Sequence, residues 1–236
     1  MFGIRDRVVI VTGASGNVGA AVAKSFIHAG AKVVLLDRSL DKLTSHFSRE
    51  LEAGHLAFGV DLSDEPRVRA VVDEVRSKAG RIDVLVNTVG GYIGGRPVVD
   101  SDWAVWEQML TMNVKVAHAC SRAVLPHFVA QSSGKIIHVG SLAALAGSAG
   151  ESAYAGAKAA LLRFVESLAS EVKSRNIQVN AVLPGAIDTP QNRSWMSAEQ
   201  VAVALDPGAI ADVILFLASD AARAVTGAAI RVSGAQ

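Results

Sequence analysis

The sequence predicts an α/β fold, a doubly wound parallel sheet of about seven strands with helices on both faces. Three features predict it. Short β-branched runs alternate with longer stretches of helical period along the chain. The strand candidates are apolar throughout rather than alternately apolar and polar, as strands covered on both faces require. No linker, repeat or low-complexity tract interrupts the alternation, so all 236 residues are read as one domain.

Taken in order, Val8 to Val11 is the first strand, and Val18 to Ala29 a helix that stops at Gly30. Lys32 to Leu36 is a second strand and Leu40 to Leu51 a second helix. His55 to Val60 makes a third strand, followed by a helix over Glu65 to Ala79 that Gly80 ends. Val84 to Val86 is a fourth strand, and Asp102 can cap a long helix running to about Pro126. Lys135 to Val139 is the fifth strand, Tyr154 to Lys173 a helix, and Ile177 to Leu183 the sixth strand. A helix over Pro207 to Leu217, with proline in its first turn, precedes a seventh strand at Ala228 to Val232.

Bulk properties narrow the function classes. Half the residues are hydrophobic and 19% are charged, enough for a substantial core. A formal net charge of +1 gives no field to steer the chain to nucleic acid or an anionic membrane. The one cysteine, Cys120, cannot form an internal disulfide and reads as a buried, inert thiol rather than a nucleophile. Val8 to Val11 is too short for a signal-peptide core, and no apolar stretch is long enough to span a bilayer, so a soluble, cytoplasmic protein is expected. No His or Cys cluster has metal-ligand spacing, and no metal is expected.

In a sheet of this kind ligands bind beyond the carboxyl ends of the strands, so the residues just after each strand carry the chemistry. After the first strand comes Thr12-Gly13-Ala14-Ser15-Gly16-Asn17-Val18-Gly19, leading straight into a helix. Glycines there let the backbone approach a pyrophosphate, while the helix N-terminus offers unpaired N–H groups. Asp37, at the end of the second strand, stands where an acidic residue can bind both adenine-ribose hydroxyls. Together these read as a Rossmann-type dinucleotide site, with an ordinary glycine-rich turn and, for Asp37, a solvated strand end as the alternatives. The Asp37 carboxylate would repel a 2′-phosphate, and Arg38 would partly offset this, so NAD is favoured over NADP. Asp61, followed by Leu62, is placed to meet the adenine; a helix-capping or loop role fits it nearly as well.

Tyr154 and Lys158, four apart on a predicted helix, share a face. A nearby ammonium favours phenolate, and on this ground the Tyr154 pKa is expected to fall toward the range of a general acid or base. Ser141 lies just past the fifth strand, where its hydroxyl can orient a carbonyl oxygen.

On these residues the chain resembles a short-chain dehydrogenase/reductase over essentially its whole length. The family's glycine turn corresponds to Thr12 through Gly19, its post-strand Asn-Asn-Ala-Gly segment to Asn87-Thr88-Val89-Gly90, and its helix asparagine to Asn113. Its serine corresponds to Ser141, its Tyr-x-x-x-Lys to Tyr154 and Lys158, and its Pro-Gly segment with a following threonine to Pro184-Gly185 and Thr189. The resemblance implies hydride transfer between a nicotinamide and a small carbonyl or alcohol substrate. Tyr154 would move the proton, Ser141 hold the substrate oxygen, Lys158 bind the nicotinamide ribose and tune Tyr154, and Asn113 order a relay water. The implied cofactor-binding set is Gly13, Ser15, Gly16, Asn17, Val18, Gly19, Asp37, Arg38, Asp61, Leu62, Asn87, Val89, Gly90, Tyr154, Lys158, Pro184 and Gly185, with Ile187 and Thr189 at the carboxamide end.

Two departures stand out. Asn17 replaces the family's middle glycine, and Gly16 stands one place earlier; asparagine tolerates left-handed backbone and can keep the same turn. Thr88-Val89 replaces Asn-Ala, and the loop continues Gly90-Gly91-Tyr92-Ile93-Gly94-Gly95. That loop is similar to one in the quinonoid dihydropteridine reductases, which use NADH; plain flexibility is the alternative reading. Tyr92 and Trp195 either stack on a substrate ring or pack, with packing preferred. Trp103 and Trp106 read as core or interface packing, and His138 as a satisfied core residue. Ala153, Ala157 and Ala160 allow close helix contact, and the resemblance implies a homotetramer or homodimer formed through this helix and the one bearing Asn113. Three functions follow: an NAD(H)-dependent carbonyl reductase or alcohol dehydrogenase, a quinonoid dihydropteridine-type reductase, and a non-catalytic NAD-sensing protein.

Overall fold

A computed structural model describes residues 3–234. Seven strands, β1 (Val8–Thr12), β2 (Lys32–Asp37), β3 (Leu56–Gly59), β4 (Val84–Asn87), β5 (Gly134–Val139), β6 (Ile177–Pro184) and β7 (Ala229–Val232), form one sheet. Its order is β3-β2-β1-β4-β5-β6-β7, and every neighbouring pair is parallel. From β1 the chain steps outward to β2 and β3, then returns to β4 on the other side. Strand order therefore reverses between β1 and β4, and a crevice opens at their carboxyl ends.

Among the described residues ten α-helices accompany the sheet: α1 (Asn17–His28), α2 (Leu40–His46), α3 (Ser48–Glu52), α4 (Glu65–Ala79), α5 (Trp103–Leu110), α6 (Val116–Gln131), α7 (Ser152–Val172), α8 (Pro190–Arg193), α9 (Ala198–Ala202) and α10 (Pro207–Ala218). Successive β1 residues face opposite sides. Val8 and Ile10 join one core with residues of α4, α6 and α7, whereas Val9 and Val11 join the other with residues of α1 and α10. Covering both faces explains the unbroken apolar runs, since each such side chain stabilises the fold by about 1.5–3 kcal/mol when fully buried. No helix among the described residues is long and apolar enough to cross a membrane.

The structure corrects several predicted boundaries. The helix expected over Leu40 to Leu51 breaks at Phe47, whose ring is fully buried and whose backbone leaves helical geometry (φ −127°, ψ 29°). The long helix does not end at Pro126 but runs to Gln131, because Phe128 beyond the proline is an anchor of the core. Asp102 stands at the start of α5 but makes no side-chain capping bond. Between α5 and α6, Thr111–Lys115 forms a π-helical turn that carries Asn113. Cys120 is buried, and its burial pushes the thiol up to about 12, which leaves it inert. Ala153 and Ala157 pack against Met109 within the same chain, and Trp106 lies over Gly156, so two of the three small residues serve an internal helix contact.

Candidate active site

The glycine turn is built by close approach. Gly13 has φ +64°, a conformation glycine adopts without strain. A Cβ at Gly19 would fall on the Gly13 carbonyl oxygen and 2.9 Å from Thr88 Oγ1. Gly16 donates its N–H to the Gly13 carbonyl (3.0 Å) and accepts from Ala20, so α1 starts directly from the turn. Asn17 is the first helical residue and does not have positive φ; the expected left-handed asparagine is not needed, because Gly13 makes the reversal. The N–H groups of Asn17, Val18 and Gly19 have no acceptor among the described residues and add to the positive end of the helix dipole.

Beside the turn, hydrogen bonds fix the orientation of the Asp37 side chain. Its Oδ2 takes hydrogen bonds from Ser15 N–H (3.1 Å) and Ser15 Oγ (2.7 Å), and its Oδ1 from Arg38 N–H (2.7 Å). A crevice of about 440 Å³ runs from here past Asp61 to Val89 and Gly90. Arg38 lies on its exposed rim, and Leu62 is among its lining residues although it is mostly buried. Asp61 closes a loop turn on Ser63, accepting from its N–H (2.9 Å) and Oγ (2.7 Å), and these bonds lower its pKa; the cap of α4 is Asp64. Asp61 thus keeps its place in the crevice while spending one oxygen on the loop. The arrangement fits a dinucleotide: free N–H groups for a pyrophosphate, room where a Cβ would intrude, and an anchored carboxylate for a ribose diol.

At the other end of the crevice the helices bring in titratable groups. Lys158, 5% exposed, donates from Nζ to the Val139 carbonyl (3.3 Å), and Nζ lies 5.8 Å from the centre of the Tyr154 ring. A Cβ at Gly90 would lie 2.9 Å from Asn113 Oδ1 and 3.0 Å from Lys158 Nζ, so these three positions converge. Asn113 Oδ1 accepts from Gly91 N–H (3.2 Å), and its Nδ2 donates to the carbonyls of Gly91 (3.1 Å) and Met109 (3.0 Å). Its side chain therefore ties the glycine loop to the π-helical turn. Ser141 follows β5, and its Oγ accepts from Ala143 N–H (3.2 Å) to start a short 3₁₀ turn.

The electrostatics reverse one expectation. The Tyr154 pKa is raised, chiefly by burial and further by the Glu151 carboxylate, while hydrogen bonding with Ser141 opposes the shift. Lys158 is itself brought down to about 8 by burial. For the phenol, burial outweighs the Ser141 hydrogen bond, the one influence that pulls the other way. At neutral pH the phenol keeps its proton.

His138 is a paired core residue. Asn87 Nδ2 lies 3.4 Å from its Nδ1 and Ser121 Oγ 3.2 Å from its Nε2; with the amide as donor, the ring proton is assigned to Nε2. Burial, with Lys158 adding to it, lowers His138 to about 3 and keeps it neutral. Gly185, after Pro184, donates to the Val232 carbonyl (2.9 Å). Ile187 pairs with Leu205, and the buried Thr189 caps α8 through Asn192 N–H (3.1 Å). Trp195 is 63% exposed rather than packed, and Trp103 stacks on Trp106 at 5.9 Å. Tyr92 meets the Tyr154 ring edge to face (centres 4.9 Å apart, 80°) and donates from its hydroxyl to Glu151 (3.0 Å). Glu151 was absent from the predicted site. Its position three residues before Tyr154, close to one helical turn, is the signal that points to it.

A family model described as short chain dehydrogenase matches residues 7–200. A cis-4-hydroxycyclohexanecarboxylate dehydrogenase of Sinomonas cyclohexanicum is 35% identical, covering 97% of this chain and 96% of its own. A 3-oxoacyl-[acyl-carrier-protein] reductase of Thermotoga maritima is 33% identical, with 98% of each covered. Among solved structures, a 7α-hydroxysteroid dehydrogenase complexed with NADH and 7-oxo glycochenodeoxycholic acid superposes with a TM-score of 0.90 at 31% identity, covering 98% of this chain and 94% of that one.

Replacing Gly19 by Ala should push α1 off the turn, costing about 1–3 kcal/mol in urea unfolding and weakening dinucleotide binding; unchanged stability would mean the approach is not as close as described. Lys158 titrates near 8 when folded against an ordinary 10.5, so its burial opposes folding most fully below pH 8, and the penalty fades as pH rises toward 10.5. Lys158→Met should accordingly be more stable than the parent at pH 7, by roughly 1–3 kcal/mol, with the gain shrinking by pH 10. Equal stability at both pH values would contradict a buried ammonium.

Proposed function

The chain belongs to the short-chain dehydrogenase/reductase family, and from that premise we propose that it is an NAD(H)-dependent oxidoreductase acting on a small carbonyl or alcohol, with Tyr154 as general acid and base. Family members are oxidoreductases that use nicotinamide cofactors. The single observation that carries the proposal is the convergence of Lys158 and Asn113 on Gly90, with Lys158 Nζ 5.8 Å from the centre of the Tyr154 ring, at the end of a crevice whose far wall bears Asp37. A non-catalytic sensor of NAD has no use for such a set.

When bound, the nicotinamide supplies or accepts the hydride. The residues of the chain do the rest. In the reduction direction the Tyr154 phenol, held protonated by burial, gives its proton to the carbonyl oxygen as charge develops there. Ser141, beside it after β5, donates its hydroxyl hydrogen to the same oxygen and fixes its direction. Lys158 then stabilises the phenolate left behind; burial makes an ammonium at that point more effective than it would be in water. Asn113 holds the loop that shapes this end of the site. Gly13, Gly16 and the N–H groups of Asn17 to Gly19 take the pyrophosphate. Asp37 takes the ribose diol, Asp61 and Leu62 flank the adenine, and Pro184 to Thr189 line the carboxamide end. Asp37 favours NADH over NADPH, because a 2′-phosphate would meet a carboxylate already fixed by Ser15. The same proposal takes residues 1–236 as one nicotinamide-binding domain that acts in the cytoplasm as a homodimer or homotetramer.

A panel of simple ketones, 3-oxoacyl thioesters and quinonoid dihydropterin, assayed by NADH oxidation, tests the activity. Tyr154→Phe should lower kcat by about 10²–10⁴ while NADH still binds. Retained turnover would remove Tyr154 from the chemistry; binding without turnover of any substrate by the parent would favour the sensor. Asp37→Ala should weaken NADH about tenfold or more and narrow its advantage over NADPH, read by fluorescence titration of both cofactors. An equal preference in the parent protein would mean that Arg38 governs the pocket.

A further inference from the structure

At the opposite pole of the sheet, by the amino ends of β1, β4, β5 and β6, lies a second cavity of about 480 Å³. This is within the range of small-molecule sites, about 300–1,000 Å³. Five cationic side chains and three carboxylates line it. Two of the carboxylates are already engaged. Asp220 is held by Arg7 at 2.5 Å, and Asp83 by Arg81 at 2.5 Å and by Val8 N–H at 2.8 Å. That leaves Arg5, Lys135 and Arg223 in the wall, with Asp6 as the remaining carboxylate, and neither Arg5 nor Asp6 has an ion-pair partner among the described residues.

Lys135 is the unusual member. It is the second residue of β5 and only 5% exposed, and its Nζ is the one buried side-chain nitrogen or oxygen among the described residues with no hydrogen-bond partner. An ammonium removed from water without an acceptor destabilises a fold, and such groups are found paired or liganded. Burial, reinforced by Arg7 and opposed by Asp220, brings Lys135 down to about 8. Lys135 is itself a lining residue of the cavity, so its unpartnered ammonium belongs to that wall, on a flexible stem that carries a compact point charge.

We propose that this cavity binds a phosphoryl group, with Lys135 as the buried anchor and Arg5 and Arg223 as exposed donors around it. A dianion matches the excess of two positive charges among the lining residues, which a single carboxylate would not. The cavity holds far more than an ion alone, since a water's share of the liquid is about 30 Å³; a small phosphomonoester fits it. The site is distinct from the crevice. The four steps of β5 from Lys135 to Val139, the acceptor of Lys158, separate the two by roughly 13 Å at about 3.3 Å per residue.

Thermal unfolding of the full chain against inorganic phosphate and against glycerol phosphate, at ionic strength held constant with sodium chloride, tests the site. The expected result is a saturable rise in Tm that chloride does not produce. Lys135→Met and the surface change Arg223→Ala should each weaken the apparent affinity about tenfold or more. Lys135→Met should also fold with a Tm at or above that of the parent, because it removes an unpaired charge. Saturation by glycerol phosphate at lower concentration would assign the site to a phosphorylated metabolite, and equal saturation to the free ion. No saturable rise, or a rise that survives both substitutions, overturns the proposal.

Discussion

Where the strand order turns back, Thr12 Oγ1 donates to Asn87 Oδ1 at 2.6 Å, and the rest of the carboxyl pole is hung from this bond. Thr88 clasps the same point, donating its N–H to Thr12 Oγ1 (3.2 Å) and its hydroxyl to the Thr12 carbonyl (2.6 Å). From Asn87 the chain of polar contacts continues through neutral His138 to Ser121 on α6. Four buried polar side chains in an otherwise apolar layer would be costly if any were unpaired; fully paired, they specify one arrangement of β1, β4, β5 and α6. Only because these ends are pinned can Gly13 and Gly19 approach so closely and leave the first N–H groups of α1 pointing outward.

The opposite requirement governs the catalytic end. Here the groups are useful because they are badly solvated. Burial holds the Tyr154 phenol in its proton-bearing form and draws Lys158 down to about 8, nearer to neutral pH than it would be in water. The fold bears that strain through the apolar contacts of α7, whose Leu161, Leu162, Val165 and Leu168 are all buried. This is the usual exchange of stability for reactivity at a functional site. Glu151 belongs to the same balance: it holds Tyr92 across the Tyr154 ring and raises the phenol further.

The loop after β4 shows how glycines serve shape rather than looseness. A side chain at Gly91 would collide with Met112, and one at Gly94 with the Tyr92 ring. Gly95, at φ +87°, donates to the Gly150 carbonyl at 3.0 Å. The loop is thus fastened to both the π-helical turn and the approach to α7, and the flexible reading of its glycines gives way to a packed one.

Periodicity and covalent spacing are properties of the chain itself, and what depends on them was legible without coordinates: the strand–helix alternation, the turn at Thr12–Gly19, Asp37 ending β2, and Tyr154 and Lys158 on one helical face. Their local geometry follows from a few neighbouring residues. What only the tertiary structure decided involves partners distant in sequence. Asn113 tied to Gly91, the turn of Asp37 toward Ser15, the sealing of Lys135 and the upward shift of Tyr154 are of this kind. Hydrogen-bond choice and desolvation are set by which remote segments close over a group, and no spacing along the chain encodes how much water they exclude.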